Sequence, residues 1–224
     1  MSRRADAVIV AAGSGSRSGL DIPKQFFEVA GKPVLAYTIE AFYKCEAIGN
    51  IAVVLPRDGF EAARDYMLGF WNDARVIYVP GGSQRMESVF NGLCRLGREG
   101  NLPIVCIHDG VRPFVTDDVI IGSVDCAEEY SAALTAVAMT DTVKRVKDGI
   151  VEETLDRSCL YCAQTPQTFE FGLIMSAYKK AIADGLSFTD DCGVAEHYGA
   201  KIHITRGSTK NIKLTMPEDF EKLK

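Results

Sequence analysis

Short, continuously apolar runs alternate with stretches of helical periodicity along most of this 224-residue chain, and that alternation limits the fold more than any other feature. Asp6 to Ala12, Ile51 to Leu55, Val76 to Val79, Ile104 to Ile107 and Ala132 to Ala138 read as strands. Val- and Ile-rich runs of this kind belong to strands covered on both faces. Between them the apolar period lengthens. Leu35, Ile39 and Phe42 share one face of a helix that Pro33 opens at its first-turn position, and Met86, Val89, Phe90 and Leu93 follow Ser83, a candidate cap. The expected fold is therefore α/β, with a doubly wound, mostly parallel sheet that binds its ligand at the carboxyl ends of the strands.

The composition agrees with a globular body, at 47% hydrophobic and 25% charged residues. A chain of this length buries roughly 70% of its unfolded surface and needs no disulfide or structural metal for a core. With 25 basic and 30 acidic residues the net charge is −5, which argues against a nucleic-acid or membrane-surface partner and for a small substrate. The apolar run Ala7 to Ala12 is about a third of a bilayer span and lacks the pattern of a secretory signal. Seven cysteines, several inside apolar runs, fit a reducing compartment, so the expected location is cytoplasmic.

Residues 141–168 break the rhythm. Thr142 to Val146 alternates in polarity, Lys147-Asp148-Gly149 makes a turn, and Ile150 to Leu155 is extended again. This segment reads as a β-hairpin arm on a single domain spanning 1–224, and a hairpin leaving a compact body is expected to pack on a second subunit. Lys144, Arg145 and Lys147 read as its solvated face. Cys159 and Cys162, with no second Cys/His pair at zinc spacing, read as incidental packing.

Chemistry concentrates where the first strand ends. Ala11-Ala12-Gly13-Ser14-Gly15-Ser16-Arg17 lets backbone N–H groups approach an anion, and Lys24 adds a second cation. The glycine spacing fits neither the dinucleotide fingerprint nor a P-loop, but two cations beside a Gly/Ser loop suit a triphosphate. Asp109 follows the apolar run Ile104 to Ile107 and so emerges at the same sheet edge, where it either binds Mg²⁺ or caps the turn and orients Arg112. Neighbouring His108 receives no catalytic role. Arg85 and Ser88 lie three apart on one helix face. Thr189-Asp190-Asp191 reads first as a helix cap and second as a wall of the site.

Taken together, Ala11-Ala12-Gly13-x-Gly15-x-Arg17 with Pro23-Lys24-Gln25 resembles the signature of sugar-phosphate nucleotidyltransferases, whose fold is Rossmann-like. Gly81-Gly82-Ser83-Gln84-Arg85-x-x-Ser88-Val89, His108-Asp109-Gly110-Val111-Arg112-Pro113, Asp141-Thr142-Val143-Lys144, Thr165-Pro166-Gln167, Thr189-Asp190-Asp191 and Asn211-Ile212-Lys213 narrow the resemblance. Together they are similar to the 2-C-methyl-D-erythritol 4-phosphate cytidylyltransferase family over residues 8–219. Gly110 stands where that family more commonly has Ala.

The resemblance implies a Mg²⁺-dependent homodimer that joins CTP to an alcohol phosphate. It places Arg17, Lys24, Arg157 and Lys213 in catalysis, and puts Ala11, Ala12, Gly13, Ser14, Gly15, Ser16, Gly82, Arg85, Ser88 and Asp109 around the nucleotide. Asp109 holds the metal, and Arg112, Thr142, Arg157, Thr165 and Lys213 surround the acceptor phosphate, with Thr142 and Arg157 reaching in from the partner. Ribitol 5-phosphate cytidylyltransferases share stretches resembling His108 to Phe114 and Gln164 to Gln167, so ribitol 5-phosphate is the competing acceptor; Leu155-Asp156-Arg157 and the stretch from Thr189 to Lys213 favour methylerythritol phosphate. A non-catalytic nucleotide binder is disfavoured by the joint presence of Arg17, Lys24, Arg157 and Lys213, and a dinucleotide oxidoreductase by the glycine spacing.

Overall fold

The computed structural model describes residues 3–13, 22–100, 102–215 and 217–221. Ser14, Gly15, Ser16 and Arg17 lie outside the described residues. The chain runs β1 (Ala5–Val10), β2 (Glu28–Val29), β3 (Lys32–Pro33), α1 (Val34–Lys44), β4 (Ile48–Leu55), α2 (Phe60–Leu68), β5 (Val76–Pro80), α3 (Arg85–Arg98), β6 (Ile104–Asp109) and α4 (Asp117–Tyr130). It continues through β7 (Ala132–Ala138), β8 (Lys144–Lys147), β9 (Ile150–Thr154), β10 (Tyr161–Glu170), α5 (Phe171–Ala183), α6 (Asp191–His197), β11 (His203–Arg206) and α7 (Pro217–Glu221).

Seven strands form one sheet in the order β11-β7-β10-β6-β1-β4-β5. β1 pairs in parallel with β4 and β6, β4 with β5, and β11 with β7, whereas β10 runs antiparallel to both β6 and β7. Both faces are covered, as the apolar runs require. Leu35, Ile39 and Phe42 of α1, Met67 of α2, and Ile120 and Val124 of α4 fill one side. Val89, Leu93 and Leu96 of α3, Ile174 and Tyr178 of α5, and Val194 of α6 fill the other. Because β4 and β6 flank β1 and lead away in opposite directions, the sheet has its switch point beside β1, where ligands of open α/β sheets bind.

The arm is shorter than its sequence implied. Among the described residues β8 and β9 pair only with each other, around an Asp148-Gly149 turn in which both residues have positive φ (50° and 79°). That is the hairpin turn whose twist matches the flanking strands. The return segment does not stay in the arm. β10 enters the main sheet, and Gln164 to Phe169 are buried there, so the arm's upper boundary at 168 is corrected. Cys159 and Cys162 are exposed rather than packed. Ser83 is likewise not the cap of α3: its N–H and hydroxyl both donate to the Glu87 carboxylate, and Gln84 occupies the cap position without a side-chain bond.

Candidate active site

A cavity of ≈ 490 Å³ opens at the carboxyl ends of β1, β5 and β6. That volume is within the ordinary range for a small-ligand site. Ala11, Ala12 and Gly13 form one wall, Gly82 to Arg85 with Ser88 a second, and Asp109 with Val111 the floor; Lys24, Gln25 and Lys213 complete it.

Each wall has a local cause. The segment after β1 is held by Gln25, buried to 2% exposure, whose amide donates to the carbonyls of Ala11 (2.8 Å) and Gly13 (3.0 Å). Backbone pairing also continues past the strand ends: Ala11 N–H donates to Val54, Gly81 N–H to Leu55 and Gly110 N–H to Val10. At Gly81 a Cβ would lie 2.5 Å from the Ala12 Cβ, so only glycine lets these two walls meet. At Gly110 the fit is less strict: a Cβ there would come within 2.9 Å of Ala11 Cβ, so an alanine would need its neighbours to shift slightly. The Ser88 hydroxyl accepts from Gly82 N–H and donates to the Gln84 carbonyl, both at 3.0 Å, which shapes the turn between β5 and α3.

Lys213 arrives from far along the chain. Leu214 is buried in a small cluster with Val34, Val111 and Phe220, Ile212 packs against the same cluster, and Leu214 N–H donates to the Val111 carbonyl. Lys213, between these two anchors, places its ammonium 3.0 Å from Asp109 Oδ2. Arg112 Nε lies 3.2 Å from the same oxygen. Burial pushes the Asp109 carboxyl up, but the charges of Lys213, Arg85 and Arg112 outweigh it and hold the group well below the usual carboxylate range. His108, fully buried next to it, is pushed down by burial to about 4 and stays neutral.

Arg85 owes its position to a carboxylate that the sequence reading left as a cap neighbour. Asp191 is fully buried and takes both guanidinium nitrogens of Arg85, at 2.9 and 2.7 Å. Tyr178 donates to the same carboxylate at 2.5 Å, and burial together with Asp191 keeps its hydroxyl protonated. Gln167 accepts from the N–H groups of Asp191 and Cys192, while its amide donates to Asp190, which caps α6 through Gly193 N–H.

Of the residues singled out in the sequence, the cavity thus brings together Ala11, Ala12, Gly13, Lys24, Gly82, Arg85, Ser88, Asp109 and Lys213. Four others do not line it. Arg112 is a buried brace, its guanidinium spent on Asp109 and on the Asn211 carbonyl at 2.7 Å. Thr165 is buried at 4% exposure with its hydroxyl turned to His108 and Asp109. Thr165 leaves β10 toward β6, whereas Arg112, in the turn after β6, is held by Asp109 and by the Asn211 carbonyl. Thr142 and Arg157 are exposed at the base of the arm, with Arg157 donating to the Thr140 carbonyl. Gln25 and Asp191 carry more of the geometry than their motifs alone implied.

Asp109 is the one carboxylate among the described lining residues, and no group of three or more His, Cys, Asp or Glu that could hold a metal gathers among the described residues. That donor set fits Mg²⁺, which takes one or two carboxylates and draws its other oxygens from phosphates and water. Both cation contacts of Asp109 fall on Oδ2.

A doubly wound sheet with a loop cavity at its switch point, floored by an anion and ringed by Lys24, Arg85 and Lys213, defines a nucleotidyltransferase. Over residues 5–223 the chain belongs to the 2-C-methyl-D-erythritol 4-phosphate cytidylyltransferase (IspD) family. The enzyme of that name from Clostridioides difficile is 41% identical over 213 residues, covering 95% of this chain and 89% of its own. The 4-diphosphocytidyl-2C-methyl-D-erythritol synthase of Anaerococcus prevotii superposes with a TM-score of 0.84 at 32% identity, covering 99% of this chain and 94% of its own. The Francisella tularensis cytidylyltransferase gives 0.82 at 29% identity, covering 98% and 97%. No helix among the described residues is long and apolar enough to cross a membrane.

Proposed function

We propose that this chain transfers the cytidylyl group of CTP to 2-C-methyl-D-erythritol 4-phosphate, giving 4-diphosphocytidyl-2-C-methyl-D-erythritol and pyrophosphate, as a Mg²⁺-dependent cytoplasmic homodimer in the non-mevalonate isoprenoid pathway. The observation that carries the reading is the arrangement of cations: Lys24, Arg85 and Lys213 reach one cavity whose single described carboxylate is held ionised. Family membership supports the choice of substrates.

In this reaction an oxygen of the acceptor phosphate attacks the α-phosphorus of CTP, and pyrophosphate leaves in line. The nucleophile is already anionic, so catalysis rests on alignment and on neutralising charge as it spreads over the phosphoryl oxygens. Lys24 and Arg17 face the triphosphate in this reading, and Lys213 draws the acceptor phosphate toward the cavity floor. Gly82 and the adjoining backbone take the cytosine edge. Asp109, with triphosphate oxygens and waters, would hold Mg²⁺, which when bound neutralises phosphate charge and fixes the leaving group. Thr142 and Arg157 serve the acceptor phosphate of the partner subunit, which accords with their exposure at the base of the arm and with their not lining this chain's own cavity. Arg suits that role because its planar fork grips phosphate in two places.

The test is pyrophosphate release from CTP and Mg²⁺ with methylerythritol 4-phosphate and, in parallel, ribitol 5-phosphate, using ATP, GTP and UTP as controls. Release with CTP and methylerythritol phosphate supports the reading. Release only with ribitol phosphate moves the chain to the neighbouring activity, and silence with both despite CTP binding marks a non-catalytic binder.

A further inference from the structure

Asp191 holds its carboxylate at 0% exposure, behind the cavity wall that α3 begins. A charge buried so deeply persists only where a countercharge and hydrogen bonds replace water. Arg85 supplies the countercharge, one nitrogen to each carboxylate oxygen. Tyr178, also at 0% exposure, supplies a third bond, to Oδ1, the oxygen that already holds Arg85 Nη1. An ionised carboxylate only accepts, so the phenol proton lies between the two oxygens.

Four elements meet in this cluster. Asp191 opens α6, its N–H held by Gln167 of β10. Tyr178 comes from α5, with its ring stacked on Phe90 of α3 at 6.4 Å between centroids and 13° between planes. Arg85 is the first residue of α3. The last torsion of an aspartate side chain is soft and roughly two-fold, so a carboxylate held at one end only can turn. Tyr178 pins Oδ1 and with it the plane of the carboxylate, and a two-pronged pair passes that plane on to the guanidinium. Arg85 thus takes its orientation from behind. In front it lines the cavity, at 30% side-chain exposure, and its charge reaches Asp109 on the floor. An arginine held this way has less rotamer freedom left to lose when a ligand binds.

We propose that Tyr178 is a positioning residue for nucleotide binding: from outside the described cavity lining it fixes the Asp191 carboxylate and, through it, pre-orients the Arg85 guanidinium toward bound CTP. The inference rests on the nucleotidyltransferase reading of the cavity. It differs from a purely structural role for a buried tyrosine, and the two separate in CTP affinity.

The experiment compares Tyr178→Phe, Arg85→Lys and the double variant with the wild-type protein. It reads CTP affinity by calorimetry beside CTP KM, acceptor KM and melting temperature, and adds ¹⁵N NMR of the arginine side chains. Tyr178→Phe keeps the ring and deletes one hydroxyl. It should weaken CTP binding by roughly three- to tenfold and raise CTP KM in step, with acceptor KM nearly unchanged. Lysine cannot make the two-pronged pair, so adding Tyr178→Phe to Arg85→Lys should cost no further CTP affinity. The Arg85 guanidinium, identified by its loss in Arg85→Lys, should give separate terminal nitrogen signals in the CTP-free wild type and averaged ones in Tyr178→Phe. A lower melting temperature with wild-type CTP affinity in Tyr178→Phe, multiplying effects in the double variant, or an averaged Arg85 signal in the wild type would each overturn the proposal. The wild-type spectrum decides the matter if a variant fails to fold. A wild-type protein that binds CTP but releases no pyrophosphate would count against the activity reading, and the CTP affinities would still decide the role of Tyr178.

Discussion

Three cationic side chains converge on Asp109, and that convergence determines which groups titrate in the working range. With its pKa depressed by Lys213, Arg85 and Arg112 against the pull of burial, Asp109 loses its charge only as the pH falls below the usual carboxylate range. His108, held near 4 by burial, gains a proton only there as well. Neither produces an acid limb between pH 5 and 8. The acceptor's phosphate monoester does, with a second pKa of about 6. The kcat/KM for the acceptor should therefore fall below about pH 6, and a phosphonate analogue of higher pKa should carry the limb upward with it; a limb that stays in place belongs to the protein. Asp191 gives a second residue-scale prediction. Asp191→Asn removes the charge that fixes Arg85 and should raise the KM for CTP roughly tenfold, with a lower melting temperature. A lower melting temperature with unchanged CTP KM would separate Arg85 from the nucleotide.

At the scale of elements, the arm and β10 carry the most consequence. Ile150 is 71% exposed at the hairpin turn, beside exposed Val146 and Val151, an apolar surface that a second copy of the chain would cover. The variant Ile150→Asp/Val151→Asp should sediment as a monomer. Loss of the partner's Thr142 and Arg157 should then lower acceptor kcat/KM by roughly 100-fold, at about 1.5–3 kcal/mol for each charged hydrogen bond, while CTP binding persists. A fully active monomer would place the whole site within one chain. The hairpin was legible in the sequence because an Asp-Gly turn between alternating residues is a local signal. β10 was not, since its Gln-Thr-Pro-Gln-Thr stretch lacks an apolar run and its place between β6 and β7 is decided by long-range pairing. Four-residue β11 escaped for a similar reason. The sheet's apolar strands and the cavity's glycine and lysine residues were legible because burial and motif chemistry are written in residue types. The inward turn of Arg112 and Thr165 was not, because a motif names a side chain without saying which face of the backbone it leaves. Asp191 was hidden because its partner, Arg85, is 106 positions away.

At the scale of the whole molecule, a switch-point cavity holds a carboxylate kept ionised by surrounding cations, and the proposed second subunit would supply the acceptor contacts. The identity of the acceptor is what the proposed function most depends on. The most direct measurement is a competition: CTP and Mg²⁺ with methylerythritol 4-phosphate and ribitol 5-phosphate together at equal concentration, followed by ³¹P NMR. The ratio of the two diphosphate products equals the ratio of their kcat/KM values. The account predicts that the methylerythritol product forms with one pyrophosphate each and exceeds the ribitol product by roughly 100-fold, the scale on which a pocket discriminates between ligands that differ by an apolar group. A mixture dominated by the ribitol product, or CTP left intact with both acceptors present, would contradict it.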